Sequence, residues 1–209
     1  MKASRLVALV SLVLAFSFSI AAQKFSYAAQ KKFIPTELGQ VYLGMPLKQF
    51  AAKIPLDGVE ADGRFDWLEL TVPFKKGNIN SINIRIHGLS SEEKAAIVKK
   101  GKVKDKNLNG EEYERETDVV DVSKIPAKGF VYAMYIGFTD SFDLKKWTST
   151  AYGKPGDIYK KGDNGYFYDH QWTRKTTDGL TWLIRAYFKD GNSLQLLGRI
   201  KGTEWDVNQ

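Results

Sequence analysis

The strongest constraint on the fold lies in the last quarter of the chain, where apolar and polar residues alternate through three short segments. Thr177-Asp178-Gly179 and Asp190-Gly191-Asn192 separate these segments and have the composition of tight turns. Because successive side chains of a strand point to opposite faces, the alternation predicts an antiparallel meander with one apolar face. The residues on the apolar parity are Tyr166, Tyr168, His170, Trp172, Trp182, Ile184, Ala186, Phe188, Leu194, Leu196, Gly198 and Ile200.

A shorter version of this pattern occupies residues 68–87, with a turn at residues 75–78. In both regions a stretch with helical spacing of apolar residues comes first, at residues 47–54 and 142–152. A glycine motif precedes each stretch: Tyr42-Leu43-Gly44-Met45-Pro46 and Tyr135-Ile136-Gly137-Phe138-Thr139. We therefore predict an α+β fold of two similar halves, each a short helix packed on an antiparallel β-meander.

The N-terminus has the pattern of a secretory signal peptide. Lys2 and Arg5 precede an uncharged run from Leu6 to Ile20, which is short for a membrane span. Small residues favour cleavage after Ala21, with cleavage after Ala28 as the alternative. The predicted organisation is a signal peptide at 1–21, a flexible arm at 22–32, an N-terminal half at 33–128 and a C-terminal half at 129–209. The mature protein is expected to be soluble, periplasmic or secreted, and without a transmembrane segment.

Composition narrows the function classes further. The chain has no cysteine, which excludes disulfides, thiolate metal sites, cysteine nucleophiles and lipid attachment at an N-terminal cysteine. The net charge of +7 falls to +5 without residues 1–21, which hold two basic residues and no acidic one. This excess suits an anionic neighbour, such as a membrane surface or an acidic glycan, and is small for a nucleic-acid-binding protein.

One segment matches the residue spacing of a calcium-binding loop. Asp105, Asn107 and Asn109 provide side-chain oxygens at alternate positions, Gly110 follows, and Glu116 closes the pattern. However, Glu112 stands where such a loop needs an apolar residue, and the preceding lysines add repulsive charge. We expect a polar, turn-rich connection here, with calcium as the alternative and no other cofactor.

The residues before this loop contain a run of lysines. Ser90-Ser91-Glu92-Glu93 is a helix-opening sequence, and we expect the helix to end near Gly101. The lysines at its end are predicted to form a solvated helix terminus, with contact to an anionic surface as the alternative. They are Lys99, Lys100, Lys102, Lys104 and Lys106.

Signals for catalysis are sparse. His87 and His170 are the only histidines, and neither has a neighbour at metal-ligand or nucleophile spacing. Asp169 adjoins His170, but adjacent strand residues point to opposite faces. No nucleophile-elbow serine or phosphate-binding loop is present. The many carboxylates keep a carboxylate-dependent hydrolase as a remote alternative.

The two glycine motifs, together with Tyr152-Gly153-Lys154-Pro155 after the second helix, carry a family resemblance. They resemble the small exported α+β modules typified by the BamE/SmpA family and the tandem modules of beta-lactamase inhibitor proteins. The resemblance implies an envelope or secreted protein that acts by protein–protein contact. The chain has neither a lipidation cysteine nor the cysteines of inhibitor-type disulfides, so the resemblance does not identify the partner.

These observations lead to one expectation and two alternatives. We expect a non-enzymatic binding module. Its candidate site is the polar face of the C-terminal sheet, where Arg185, Tyr187 and Arg199 lie on the parity opposite the core, with a solvated sheet face that binds no partner as the alternative for these residues. Binding of a small ligand or glycan is the first alternative, and the hydrolase is the second. Trp172 and Trp182 are predicted to be core residues rather than a stacking platform for sugars, because of their regular alternation.

Overall fold

The computed structural model describes residues 25–158, 168–189 and 191–206. The predicted signal peptide, residues 1–21, lies outside these residues. Within them, ten strands form one antiparallel sheet with the order β4-β5-β1-β2-β3-β6-β10-β9-β8-β7. The strands are β1 Glu60–Asp62, β2 Leu68–Val72, β3 Ile79–His87, β4 Val98–Lys106, β5 Glu112–Val120, β6 Phe130–Phe138, β7 Asp157–Ile158, β8 His170–Lys175, β9 Thr181–Tyr187 and β10 Ser193–Arg199.

Four short α-helices accompany the sheet, together with brief 3₁₀ segments, in the described part of the chain. They are α1 Tyr27–Gln30, α2 Leu47–Ala51, α3 Ser91–Ile97 and α4 Leu144–Tyr152. A mostly antiparallel sheet with a few short helices places the protein in the α+β or mainly β class. None of the helices in the described ranges has the length and apolar character needed to cross a membrane.

The residues that the sequence alternation places on the apolar side of these strands form the core. Ile82, Ile84 and Ile86 of β3 are buried on the same sheet face as Trp172 and Trp182, which are completely buried as predicted. The side of the sheet that carries the helices is called the inner face here. Helix α4 packs on it with Leu144, Thr148 and Tyr152, whose ring lies 5.4 Å from that of Trp172.

The strand β6 lies at the centre of the sheet and joins its two sides. It pairs with β3 from Ile79↔Phe138 to His87↔Phe130, and with β10 on its other edge. Backbone hydrogen bonding is therefore continuous across the predicted boundary between residues 128 and 129.

Residues 25–32 differ from the flexible arm expected there. Ser26 caps helix α1, and its backbone N–H donates to the Asp178 carboxylate at 2.9 Å. Gln30 is fully buried, and its amide group both donates to the Leu43 carbonyl and accepts from the Leu43 N–H, each at 2.9 Å. A polar, basic composition led to the expectation of an arm, but one buried glutamine anchors this segment to the body of the protein.

The helix expected to reach Gly101 ends at Ile97. A capping box between Ser90 and Glu93 starts α3 as the sequence indicates. The chain then enters β4, which pairs with β5 over nine residues from Val98↔Val120 to Lys106↔Glu112. A Cβ on Gly101 would collide with Val119 of the neighbouring strand, so the glycine permits close pairing rather than stopping a helix.

Candidate interaction surface on the outer face of the sheet

The face of the sheet opposite the helices, called the outer face, is divided into two parts. Its apolar part holds Tyr132, Ala133, Leu183 and Leu197, all buried. The C-terminal residues 200–206 fold back over this part, and Ile200 and Trp205 pack against the buried cluster. Leu183 and Leu197 share the outward parity of Arg185 and Arg199, but they are buried because the chain itself covers them.

Arg85 marks one border of the covered part. Its guanidinium lies between the rings of Trp67 and Tyr135, 4.6 and 4.8 Å from their centroids. It also donates to the Glu69 and Glu204 carboxylates at 2.9 and 3.0 Å. Burial acts to lower the pKa of Arg85, but these neighbours raise it above its ordinary value, so the group stays charged.

Arg185 has a similar position on the other border. Its guanidinium faces the rings of Tyr168 and Trp205 at 5.2 and 5.3 Å, and its Nε donates to the Gln171 side chain at 2.8 Å. Stacking between two rings and a hydrogen bond restricts the rotamers of this arginine. A guanidinium held in this way is presented to solvent in a defined orientation.

The remaining part of the outer face, called the open half, is polar. Residues 200–206 reach it only at its border, where Trp205 faces Arg185, and Gln195 is buried within it. One cross-strand row runs over it through β3, β6, β10, β9 and β8, as the strand registers show. The row consists of Asn83, Tyr135, Gln195, Arg185 and Gln171.

A second row adjoins the first. Ser81, Gly137, Ser193 and Tyr187 are its members on β3, β6, β10 and β9. The Tyr187 hydroxyl donates to the Gln195 side chain at 3.2 Å and so links the two rows.

A shallow depression of about 350 Å³ lies in the open half over Gly137. A Cβ at this glycine would collide with the Ser81 hydroxyl and the Asn80 side-chain oxygen, so the absence of a side chain lets these two polar groups approach β6 closely. The groups that line the depression are mainly amides, hydroxyls and an aromatic ring, so it is not an apolar pocket. Its lining includes Asn80, Ser81, Asn83, Tyr135, Gly137 and Ser193.

The three residues predicted as a binding site do not form one cluster. Arg185 and Tyr187 lie together on β9, half-buried, in the open half. Arg199 has the same parity but pairs with Thr181, whereas Tyr187 pairs with Ser193. Six residues of strand correspond to about 20 Å, so Arg199 lies at the far side of the covered part.

The segment with calcium-loop spacing is a β-hairpin. Asp105 and Glu116 lie on opposite faces of this two-stranded ribbon, because Asp105 pairs with Tyr113 and Glu116 pairs with Lys102. Asp105 accepts from Arg115 at 3.0 Å, and the Asn107 side chain accepts from the Asn109 and Glu111 N–H groups within the turn. The four candidate ligands Asp105, Asn107, Asn109 and Glu116 therefore do not converge. No group of three His, Asp or Glu side chains suited to a metal occurs in the described ranges.

The two histidines pack among aromatic rings. His87 lies on the outer face beside Phe130 and Tyr132, and His170 contacts Trp172 and Phe188. Burial lowers the pKa of both imidazoles, which favours their neutral forms. Tyr166 lies outside the described residues. Tyr168 does not lie on the same sheet face as Trp172, although the alternation predicts that it does, because its ring faces Arg185 on the outer face.

Sequence reasoning missed most of the residues that shape this surface. Arg85, like Asn83 and His87, alternates with the buried isoleucines of its strand, so the sequence pattern could have placed it on the polar face. Glu204 and Trp205 follow the last strand and have no periodicity that places them over the sheet. No protein-family model, curated protein or solved structure matches the chain.

Proposed function

We propose that this chain is an exported, non-enzymatic binding protein that engages a protein partner through the open half of its outer sheet face. The observation that carries the proposal is the row Asn83, Tyr135, Gln195, Arg185 and Gln171, which spans five adjacent strands. Tyrosine and arginine are the residue types that concentrate binding energy in protein interfaces.

Two side chains of the open half, Arg185 and Tyr187, are held in place before any partner arrives. Arg185 is held by Tyr168, Trp205 and Gln171, and Tyr187 is held by Gln195. Side chains already fixed in one rotamer lose less conformational entropy on binding than mobile ones do. Burial raises the pKa of Tyr187, so its hydroxyl remains a neutral hydrogen-bonding group and not a base.

The shape of the open half supports a protein partner over an enclosed small molecule. Its depression of about 350 Å³ has the exposed residues Asn80, Ser81 and Asp140 in its lining. Small-molecule sites bury most of their ligand in a largely apolar cavity, whereas protein interfaces are broad and flat with a polar rim.

A glycan is the second candidate. Asn80, Ser81, Asn83 and Tyr135 together provide amide, hydroxyl and ring surfaces that suit sugar hydroxyls and sugar faces. The test below distinguishes the two, because a glycan gives no protein adduct.

The proposal includes export and a two-half organisation. Residues 1–21 have the composition of a signal peptide, which supports a periplasmic or secreted location.

In chain order, α2 precedes β1–β3 and α4 precedes β8–β10, so a short helix comes before a meander twice. The two meanders approach β6 from opposite sides of the sheet.

Site-specific photo-crosslinking in the native cells tests the proposed function. A benzoylphenylalanine replaces Asn83 or Ser193 on the open half, and Lys48 on the exposed surface of α2 serves as the matched control. We expect the same protein adduct from Asn83 and Ser193 and none from Lys48. Adducts from all three positions alike, or from none of them, would contradict a protein-binding open half.

A further inference from the structure

Strand β4 is a long edge of the sheet. It has nine residues, ends the strand order, and pairs with β5 alone among the described residues. Its outward N–H and C=O groups therefore have no strand partner in the described chain. Such an edge is a template for a further strand, and proteins limit unwanted pairing there with charged side chains.

The charges on the hairpin of β4 and β5 form a regular ladder on one of its faces. Each lysine on this face of β4 is directly opposite an acidic residue of β5. Lys100 and Asp118 approach to 2.7 Å, and Lys106 and Glu112 to 3.6 Å. The opposed pairs are Lys100↔Asp118, Lys102↔Glu116, Lys104↔Glu114 and Lys106↔Glu112.

This ladder shows which side-chain pattern fits beside β4. The β5 strand satisfies the lysines from one side with a carboxylate at every second position. The side chains of Lys100, Lys102 and Lys106 are still 82%, 62% and 66% exposed, so they remain accessible from the outward side. A second β4 strand would place lysine beside lysine, and like charges directly opposite each other destabilise strand pairing.

The opposite face of the hairpin holds it in place. Arg115 donates to Asp105 at 3.0 Å and to Glu60 of β1 at 2.7 Å, and so connects both hairpin strands to the body of the sheet. The edge is thus positioned by ion pairs beyond its own ladder. A two-stranded ribbon without such support is only marginally ordered in water.

The spacing of these lysines favours a peptide over a lipid surface as their ligand. Residues 98–120 contain six basic and six acidic side chains, so net charge does not attract the hairpin to any anionic ligand. The lysines occupy every second position of one strand, a spacing that an extended chain in register matches and a fluid bilayer does not.

We propose that the outward edge of β4 binds an extended acidic peptide segment, with a carboxylate at every second residue, as an additional strand of the sheet. The main chain of the segment would pair with the free N–H and C=O groups of β4. Its carboxylates would interact with Lys100, Lys102, Lys104 and Lys106. This site is separate from the open half of the outer face and does not depend on the function proposed for it.

Titration of the full chain with a short capped peptide, Glu-Thr-Glu-Val-Glu-Thr-Glu, tests the proposal by two-dimensional NMR of the backbone amides. We expect shifts and slowed hydrogen exchange in β4. A peptide with glutamine in place of glutamate, and one N-methylated at alternate residues, are each expected to bind about tenfold more weakly or worse. The first control removes the charges and the second removes the main-chain donors.

A double variant, Lys102→Glu with Lys104→Glu, should lose binding of the acidic peptide. The control Lys48→Glu with Lys75→Glu changes the net charge equally at distant exposed sites and should retain it. Amide spectra of both variants verify folding. Should the glutamine or N-methylated peptide bind equally well, or the shifts fall outside β4, the proposal is wrong.

Vesicles with anionic lipids provide a further arm of the experiment. Lysine-dependent binding to vesicles with no peptide binding would identify a membrane contact instead and overturn the proposal. Tyr187→Ala should leave peptide binding unchanged, so this result and the crosslinking result on the open half succeed or fail separately.

Discussion

Arg85 and Glu204 form an ion pair at 3.0 Å that joins β3 to the C-terminal segment across the outer face. Both side chains are mostly buried, 22% and 28% exposed, and Arg85 is also stacked between Trp67 and Tyr135. This pair holds residues 200–206 over Leu183 and Leu197. The same segment places Trp205 against Arg185 and thereby helps to shape the open half.

Glu204→Ala is expected to destabilise the protein by about 1 kcal/mol, because Arg85 keeps Glu69 as its other partner. Hydrogen exchange of residues 200–206 should accelerate more than exchange of β6. Lys128→Ala, which removes the more exposed pair with Glu93, is the control and should change neither quantity measurably. Unchanged exchange in the C-terminal segment of Glu204→Ala would show that the pair does not hold it.

The two buried tryptophans differ in one hydrogen bond. Trp172 Nε1 donates to the Gly153 carbonyl at 2.9 Å, whereas the buried Nε1 of Trp182 has no acceptor in the described part of the chain. Trp172→Phe should therefore destabilise the protein by about 1–2 kcal/mol more than Trp182→Phe, since only the former breaks a bond. Either alanine variant should cost about 3–5 kcal/mol. Denaturant titrations measure all four, and the reverse order for the phenylalanine variants would contradict the assignment.

Gln30 anchors the N-terminal segment through its two hydrogen bonds to Leu43. Gln30→Ala leaves both Leu43 groups without these partners and should cost about 2–4 kcal/mol. Gln40→Ala, at an exposed glutamine, should stay within about 0.5 kcal/mol of the wild type.

The anchoring also bears on export. Cleavage after Ala28 would remove Phe25, which packs on Gly44, and Ser26, which bonds to Asp178. We therefore expect intact-mass measurement of exported protein to give an N-terminus at Ala22. A chain that begins at Ala29 and melts at the same temperature as the longer one would contradict this role for residues 25–28.

The histidines predict a pH dependence of stability. Burial lowers the pKa of His87 and His170 from 6.5, so as the pH falls the unfolded chain takes up protons before the folded one. The two histidines contribute their full stabilisation at pH values above the pKa of histidine in the unfolded chain. The free energy of unfolding decreases as the pH falls below that pKa. His87→Gln and His170→Gln should each show a smaller loss of stability between about pH 7 and pH 5. A wild-type free energy of unfolding that increases as the pH is lowered from about 7 to 5 would contradict the lowered pKa values of the histidines.

The strands were the most predictable part of the fold. Ile82, Ile84 and Ile86 alternate with polar residues, and period two places them on one buried face. Trp182 and Ile184 are buried on the same face at the same spacing, although the residue between them is apolar as well. Strand β4 and the first half of β5, residues 112–116, were missed because their side chains are mostly charged and exposed, whereas residues 117–122 have the composition of a strand. Their pairing depends on cross-strand charges that become visible only once the register is known.

The candidate site was only partly predictable for a related reason. Arg185 and Tyr187 follow from parity within one strand, whereas Asn83 and Tyr135 join them only through the strand order β3-β6-β10-β9. Gln30 and Trp205 lie outside every periodic segment. Contacts between residues far apart in sequence decided their positions, and no local pattern records such contacts.

The most direct test of the central claim is a calorimetric titration with the partner isolated by crosslinking at Asn83. Tyr187→Ala should weaken binding about tenfold or more relative to wild type, because it removes a large aromatic side chain with a hydrogen-bonding hydroxyl from the open half. Lys48→Ala should bind as the wild type does, and thermal melts of both variants verify that they are folded. Equal affinities for folded Tyr187→Ala and wild type would contradict binding through the open half.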